Sequence, residues 1–192
     1  VNSDQIVAGS AGGGVWRSGD GGQSWQALWH KQATLNIGAL AIDPSNPATI
    51  YCGTGEANLS ADSYPGVGIF RTLDGVNWQL LAGAEAAAIP TRIGAIAVDP
   101  FHIRLGGVSH AAGNTGVDGM FVSRDGGMTW TRDQIVAGGS YRCHAIVFHP
   151  GKPKHLFATV SARGVKNGIW HSTDGGFTWS HLTAGLPAPE TM

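Results

Sequence analysis

Charge is scarce in this chain. Twelve lysines and arginines stand against 13 aspartates and glutamates, leaving a net charge of −1 with only 13% of residues charged. That composition excludes the basic stripe of a nucleic-acid binder and the acidic run of a solvated tail. Cysteine is limited to Cys52 and Cys143, too few for a disulfide scaffold. No apolar run is long enough to span a bilayer and Val1 does not open a signal peptide, so membrane insertion is not expected. Helical periodicity is also missing. Without a helix to follow them, the glycine-rich stretches are neither phosphate loops nor dinucleotide fingerprints, and no nucleophile elbow can form. The eight histidines lack metal-ligand spacing. Neither a metal nor a cofactor is expected.

What the chain does have is glycine and a repeat. Thirty glycines and nine prolines without a collagen-like triplet indicate many tight turns between short strands. One phrase, Gly-x-aromatic-x-Ser/Thr-x-Asp-Gly ending in tryptophan, occurs four times, with closing residues Trp25, Trp78, Trp130 and Trp179. Their spacings of 53, 52 and 49 residues define a repeat. Ahead of each later copy lies an almost wholly apolar run (residues 37–42, 93–98 and 143–148), as expected of a strand covered on both faces. Proline follows in Asp43-Pro44, Asp99-Pro100 and His149-Pro150, where it is expected to end the pairing. Second strands are expected near 49–53, 104–109 and 155–160, third strands through Trp16, Phe70, Phe121 and Trp170, and fourth strands from the closing tryptophans. Cys143 aligns with Ile37 and Ile93 and is expected to pack as a small hydrophobe.

The turn between third and fourth strands has a physical logic. Asp20, Asp74, Asp125 and Asp174 can accept hydrogen bonds from backbone amides within the hairpin, the glycines after them allow positive φ, and the tryptophans can fold back over the turn. The second copy is one residue short between Asp74 and Trp78, which changes its turn. Arg17, Arg71 and Arg124 read as equivalent structural residues beside the boxes. Four-stranded meanders at this period predict an all-β fold, a β-propeller of four-stranded antiparallel blades with about four blades present. As a single region, 1–192 divides into a partial blade 1 (1–35), blade 2 (36–91), blade 3 (92–141) and blade 4 (142–192). Four blades suggest a partial propeller belonging with the remainder of a longer one, a ring completed by homo-oligomerisation, or an unusual small ring closed on itself.

On these boxes the chain resembles the Asp-box (BNR-repeat) β-propeller families. These include sialidases, sortilin-type receptor domains, xyloglucanase-type glycoside hydrolases and a photosystem II assembly factor. The segment Tyr51-Cys-Gly-Thr-Gly-Glu-Ala-Asn58, followed by Gly66-Val-Gly-Ile69, is similar to bacterial glycosyl-hydrolase-like members. The resemblance implies a propeller in an extracellular or periplasmic setting, while the repeat itself serves unrelated activities.

Strand alternation places the boxes on one face and the long, unlike loops (54–67, 82–92, 109–118, 133–142, 161–167) on the other, where a binding site is expected. The candidate binding residues there are Glu56, Asn58, Asp62 and Tyr64. Arg92 and Arg142 join them, at positions equivalent to Asn36 beside the innermost strands. Such arginines can grip an anion or simply pair with Asp118, Asp133 or carbonyls. For a two-carboxylate glycosidase, Glu56 with Asp62 or Asp118 is the available set. A sialidase needs an arginine triad, a tyrosine–glutamate pair and an acid; Arg92, Arg142, Tyr141 and Glu56 supply residue types without the motifs. The expectation is a non-catalytic module binding a glycan or protein segment, with a glycoside hydrolase and a structural half-propeller as alternatives.

Overall fold

The computed structural model describes residues 4–58, 62–83, 89–99, 102–108, 118–136, 141–162 and 166–184. Fifteen strands run through them and form four antiparallel sheets in chain order. Sheet I holds β1 (Ile6–Ser10), β2 (Gly14–Ser18) and β3 (Gln26–Ala27). Sheet II holds β4 (Ile37–Asp43), β5 (Asn46–Thr54), β6 (Gly68–Thr72) and β7 (Trp78–Gly83). Sheet III holds β8 (Arg92–Val98), β9 (Ile103–Val108), β10 (Gly119–Ser123) and β11 (Thr131–Arg132). Sheet IV holds β12 (Tyr141–His149), β13 (Lys152–Ala162), β14 (Gly168–Ser172) and β15 (Ser180–Leu182). Each is a meander in which consecutive strands pair, so each repeat is one sheet.

The core lies between sheets. Val15 and Trp29 of sheet I meet Ile37, Cys52 and Phe70 of sheet II; Tyr51, Ile69 and Ile89 meet Ile93, Val98, Ile103 and Phe121 of sheet III; Met120, Ile135 and Val136 meet Tyr141, Cys143, Ile146 and Leu156 of sheet IV. Both cysteines are buried free thiols, and burial pushes the Cys143 thiol up to about 12 and that of Cys52 higher still. They pack as hydrophobes, as the alignment of Cys143 with Ile37 and Ile93 requires.

Two details differ from the sequence expectation. Pairing continues past the prolines: Asp43 pairs with Asn46 across Pro44-Ser45, and His149 with Lys152 across Pro150-Gly151. Proline at the first turn position presets φ without interrupting the ladder. The cross-strand register also places Val122, not Arg124, at the position of Arg17, Arg71 and His171. Arg124 sits two residues further on and lies over the Phe177 ring of the next box, 5.5 Å from its centroid.

The boxes share one hydrogen-bond plan. A buried hydroxyl at the end of the third strand (Ser18, Thr72, Ser123, Ser172) donates to the box aspartate at 2.7–2.9 Å. In boxes 1, 3 and 4 the same hydroxyl accepts the N–H of the second glycine at 2.8 Å. Asp125 accepts the amides of Met128 and Thr129 on Oδ1, and Asp174 those of Phe177 and Thr178. The shortened second box shifts this plan by one residue: Asp74 accepts from Val76 and Asn77, and the Asn77 side-chain amide replaces a hydroxyl at Oδ2. The buried serine is therefore as much a part of the turn as the aspartate. Ser123→Ala should destabilise by about 1–3 kcal/mol, since it orphans a buried amide. Each kcal/mol lowers Tm by roughly 2–4 °C in a chain of this size. A thermal melt unchanged by the substitution would refute that role.

Candidate functional site

The antiparallel register brings Ile37 opposite Thr54, Arg92 opposite Val108 and Tyr141 opposite Ala162, so these strand ends share the face away from the boxes. The loop from β5 to β6 is closed at its base by Thr54. Its buried hydroxyl donates to the Gly68 carbonyl (2.7 Å) and accepts the amides of Val67 (2.9 Å) and Gly68 (3.0 Å). Gly55, at φ +88°, makes the return possible: an added Cβ would stand 2.5 Å from the Gly66 nitrogen. Further up, the Glu56 amide donates to the Tyr64 carbonyl (2.9 Å) and the Ser63 hydroxyl to Asn58 Oδ1 (2.6 Å).

Arg92 is buried at the start of β8 and reaches across to this loop, donating from Nη2 to the Ser63 carbonyl at 3.1 Å. It thereby fastens the loop that carries Glu56, Asn58, Asp62 and Tyr64. Glu56 is half-buried, Asn58 and Asp62 are exposed, and the Tyr64 side chain stands 60% exposed. Residues 59–61 of the same loop lie outside the described residues, as do 84–88, 109–117, 137–140 and 163–165 of the other long loops.

Arg142 is half-exposed and pairs through Nε with Asp118 Oδ2 at 3.4 Å. Asp118 is held from its other side as well, its carbonyl accepting from Arg132 Nε at 2.9 Å. Beside Arg142, His144 shares a 2.7 Å hydrogen bond with the Ser161 hydroxyl, and burial, then the nearby guanidinium, lower its pKa. The two arginines thus hold partners named in the structural alternative, an aspartate and a carbonyl. Tyr141 is no nucleophile. It is fully buried, its hydroxyl donates to the Asp133 carbonyl (2.6 Å) and accepts the Met120 amide (3.3 Å), and burial pushes its pKa up. Among the described residues no three histidine, cysteine, aspartate or glutamate side chains converge as a metal site. A groove of about 380 Å³ lies at the opposite end, by the first box, lined by Gln5, Arg17, Gly19, Ser24, Trp25 and Gln26.

Sequence reading missed Thr54 and Ser63, which shape the loop. The glycine pairs Gly53/Gly55 and Gly66/Gly68 flanking residues 54–67 were the available signal for a tightly closed base.

Four meander sheets stacked in chain order define a β-propeller fold, and solved structures of that kind are what the chain is similar to. An ancestral GH74 enzyme superposes with a TM-score of 0.68 at 22% identity, over 96% of this chain and 23% of that one. The GH74 xyloglucanase from Xanthomonas campestris gives 0.67 at 20% identity, over 95% and 29%. YCF48 bound to D1 peptide gives 0.57 at 15% identity, over 93% and 50%. This chain spans roughly a quarter of the length of the two GH74 structures. Identities this low establish a shared fold. No protein-family model and no curated protein matches the sequence. No helix among the described residues is long and apolar enough to cross a membrane.

Proposed function

We propose that this chain is a non-catalytic binding module that holds a glycan, or an extended protein segment, on its loop face. Tyr64 carries the reading: its ring is exposed on a loop whose base is buried, hydrogen-bonded and fastened by Arg92. A ring held on a fixed scaffold offers apolar area for a sugar face to stack on at little entropic expense. Glu56, Asn58 and Asp62 supply hydrogen-bonding groups on the same loop, and Arg142 with Asp118 a charged pair beside it. Likeness to GH74 enzymes puts a glycan first, and likeness to YCF48 with its bound peptide supports a protein segment as the second reading. A glycan ligand places the chain in extracellular or periplasmic space, where such polymers occur.

The hydrolase alternative, on Glu56 with Asp62 or Asp118, is separated from binding by one experiment. Calorimetric titration with xyloglucan oligosaccharides and with unrelated glycans and peptides should reveal a ligand. Tyr64→Ala should then weaken it by about three- to tenfold. Glu56→Gln should reduce the affinity of a binding module by at most about 1–3 kcal/mol. In a hydrolase it should abolish nearly all release of reducing ends while leaving binding in place. If Tyr64→Ala, Glu56→Gln and Arg142→Ala all leave affinity and turnover untouched, the site is elsewhere.

A further inference from the structure

Sheet IV gathers histidines that the other sheets lack. His155 lies two residues before Phe157 on β13, and Phe157 is the cross-strand partner of His171 on β14, so all three side chains leave one face of the sheet. His155 Nδ1 stands 3.1 Å from His171 Nε2, with ring centroids 5.2 Å apart. Phe157 is stacked on the His171 ring, their planes within 8° and their centroids 4.4 Å apart, which fixes the plane of that imidazole. The His149 ring lies edge-on beyond His155, 6.1 Å between centroids. Burial, then the charges of Lys152, His171 and His149, hold the His155 pKa below its ordinary value, so this ring is neutral at neutral pH.

Where sheet IV carries His171, sheets I and II carry Arg17 and Arg71 at the same register position. Arg71 serves the joint to the next sheet: its Nη1 donates to the Gly126 carbonyl in that sheet's box at 3.4 Å, as Arg104 Nη2 of sheet III does to the Gly175 carbonyl. A guanidinium is a permanent cation with no lone pair to give. Histidine at that place is a ring that has one, and a second such ring stands within hydrogen-bond distance of it.

We propose that His155 and His171 form a two-ligand site for a divalent first-row transition ion such as Zn2+, bound through Nδ1 of the first and Nε2 of the second. Imidazole nitrogens suit such ions, whereas Mg2+ and Ca2+ seek oxygen. Zn–N bonds of about 2.0–2.1 Å set two nitrogens on one ion roughly 2.9 Å apart at a right angle and 3.4 Å at the tetrahedral angle; the 3.1 Å here lies between. The outer nitrogens, His155 Nε2 and His171 Nδ1, have no partner among the described residues, so each can carry its ring's proton and leave the inner lone pair for the ion. Turning the His155 ring about χ2, a soft torsion, converges the two lone pairs while Phe157 keeps His171 in place. His149 stays outside the ligand set, because its Nδ1 accepts the Gly151 amide at 3.1 Å. The pair ties β13 to β14 within sheet IV and needs no group from beyond that sheet. Its two members are 16 residues apart in sequence, a spacing no metal motif marks, and only the strand register brings them together. Two protein ligands leave the other positions of the ion to water or to a donor on a ligand.

Calorimetric titration with Zn2+ alone at about pH 7.5 should give one ion per chain with a Kd on the order of 10 µM, as half the ligands of a structural zinc site would supply. Cu2+ should bind more tightly and Mg2+ should give no heat. His155→Ala and His171→Ala should each weaken Zn2+ by tenfold or more, and His149→Ala by less than threefold. His171→Arg installs the residue that sheets I and II carry at this place; it should keep the circular dichroism of the parent and lose the site, which separates loss of ligands from loss of fold. Lowering the pH from about 7.5 to about 5.5 should weaken Zn2+ by tenfold or more, since protons compete for both nitrogens. No heat with Zn2+ up to roughly 1 mM would leave the pair a hydrogen bond and overturn the proposal. Undiminished affinity in His155→Ala and His171→Arg overturns it as well, because the ion would then sit elsewhere, and so does a response to Mg2+ as large as that to Zn2+.

Discussion

Asp99→Ala is expected to lower Tm by roughly 10 °C, the largest shift from removing any single carboxylate here, corresponding to about 3–5 kcal/mol. The reason is the guanidinium it leaves behind. Arg104 is only 1% exposed, and among the described residues the carboxylate it forms an ion pair with is that of Asp99, Oδ2 at 2.7 Å. Asp99 also accepts the His102 amide (2.9 Å) and lies 2.9 Å from the His102 ring nitrogen, so the turn after β8 and the joint to sheet IV share this one group. Deleting the partner of a buried charge is far costlier than replacing both members with apolar groups. The double variant Asp99→Ala with Arg104→Met should therefore recover much of the loss, a non-additivity visible in a double-mutant cycle of melting temperatures. A fall in Tm of less than about 2 °C for Asp99→Ala would show that Arg104 is held by something other than this pair.

Acid should undo the molecule within a defined window. The Ser24 hydroxyl and amide and the Ser18 hydroxyl hold Asp20 at about 2, and bonds led by the Thr129 hydroxyl do the same for Asp125. Burial pushes Asp174 upward, but its bonds from Thr178, Ser172 and Phe177 outweigh that and leave it at about 2. Asp74 lies lower still, chiefly through the Asn77 amide and side chain. An unfolded aspartate titrates near 3.9, so below that pH the unfolded chain binds protons that the folded chain refuses. The contribution of the four turns is complete above about pH 4 and is lost as pH falls toward about 2. Melting temperature plotted against pH should be level near neutrality and drop steeply in that window. Asp125→Asn should start lower and fall less steeply. A wild-type profile that stays flat from about pH 4 to about pH 2 would mean that the turn hydrogen bonds do not depend on the carboxylate charge.

The fold was legible because its determinants are local and repeated. Each aspartate, its glycines and its tryptophan lie within one turn, and the apolar first strands recur at the same distance ahead of them. Anything that depends on which residue faces which across a strand pair was less legible. Arg124 looked like the equivalent of Arg17 and Arg71 because it too precedes a box, yet the aligned phrase and the register both give that place to Val122, and what only the register reveals is that Arg104 on the adjacent strand stands opposite it. The shortened second box could be seen to differ, but that Asn77 would supply the missing donor required the turn itself. At the candidate site the loop was legible as a departure from the repeat. Its shape was not, because Thr54, Ser63 and Arg92 act through main-chain groups that no residue pattern marks.

Arg71 and Arg104 each reach from one sheet to a main-chain oxygen in the box turn of the next, the carbonyls of Gly126 and Gly175, and that has a consequence for how such a chain can change over generations. A peptide carbonyl is present whatever residue carries it, so the side chains of one box can drift without spoiling the grip of the sheet before it. Only the path of the turn has to persist. A duplicated repeat therefore arrives with a working connection already made at both its borders, and an array of this kind can lengthen or shorten by whole units while every new border is one the chain has used before.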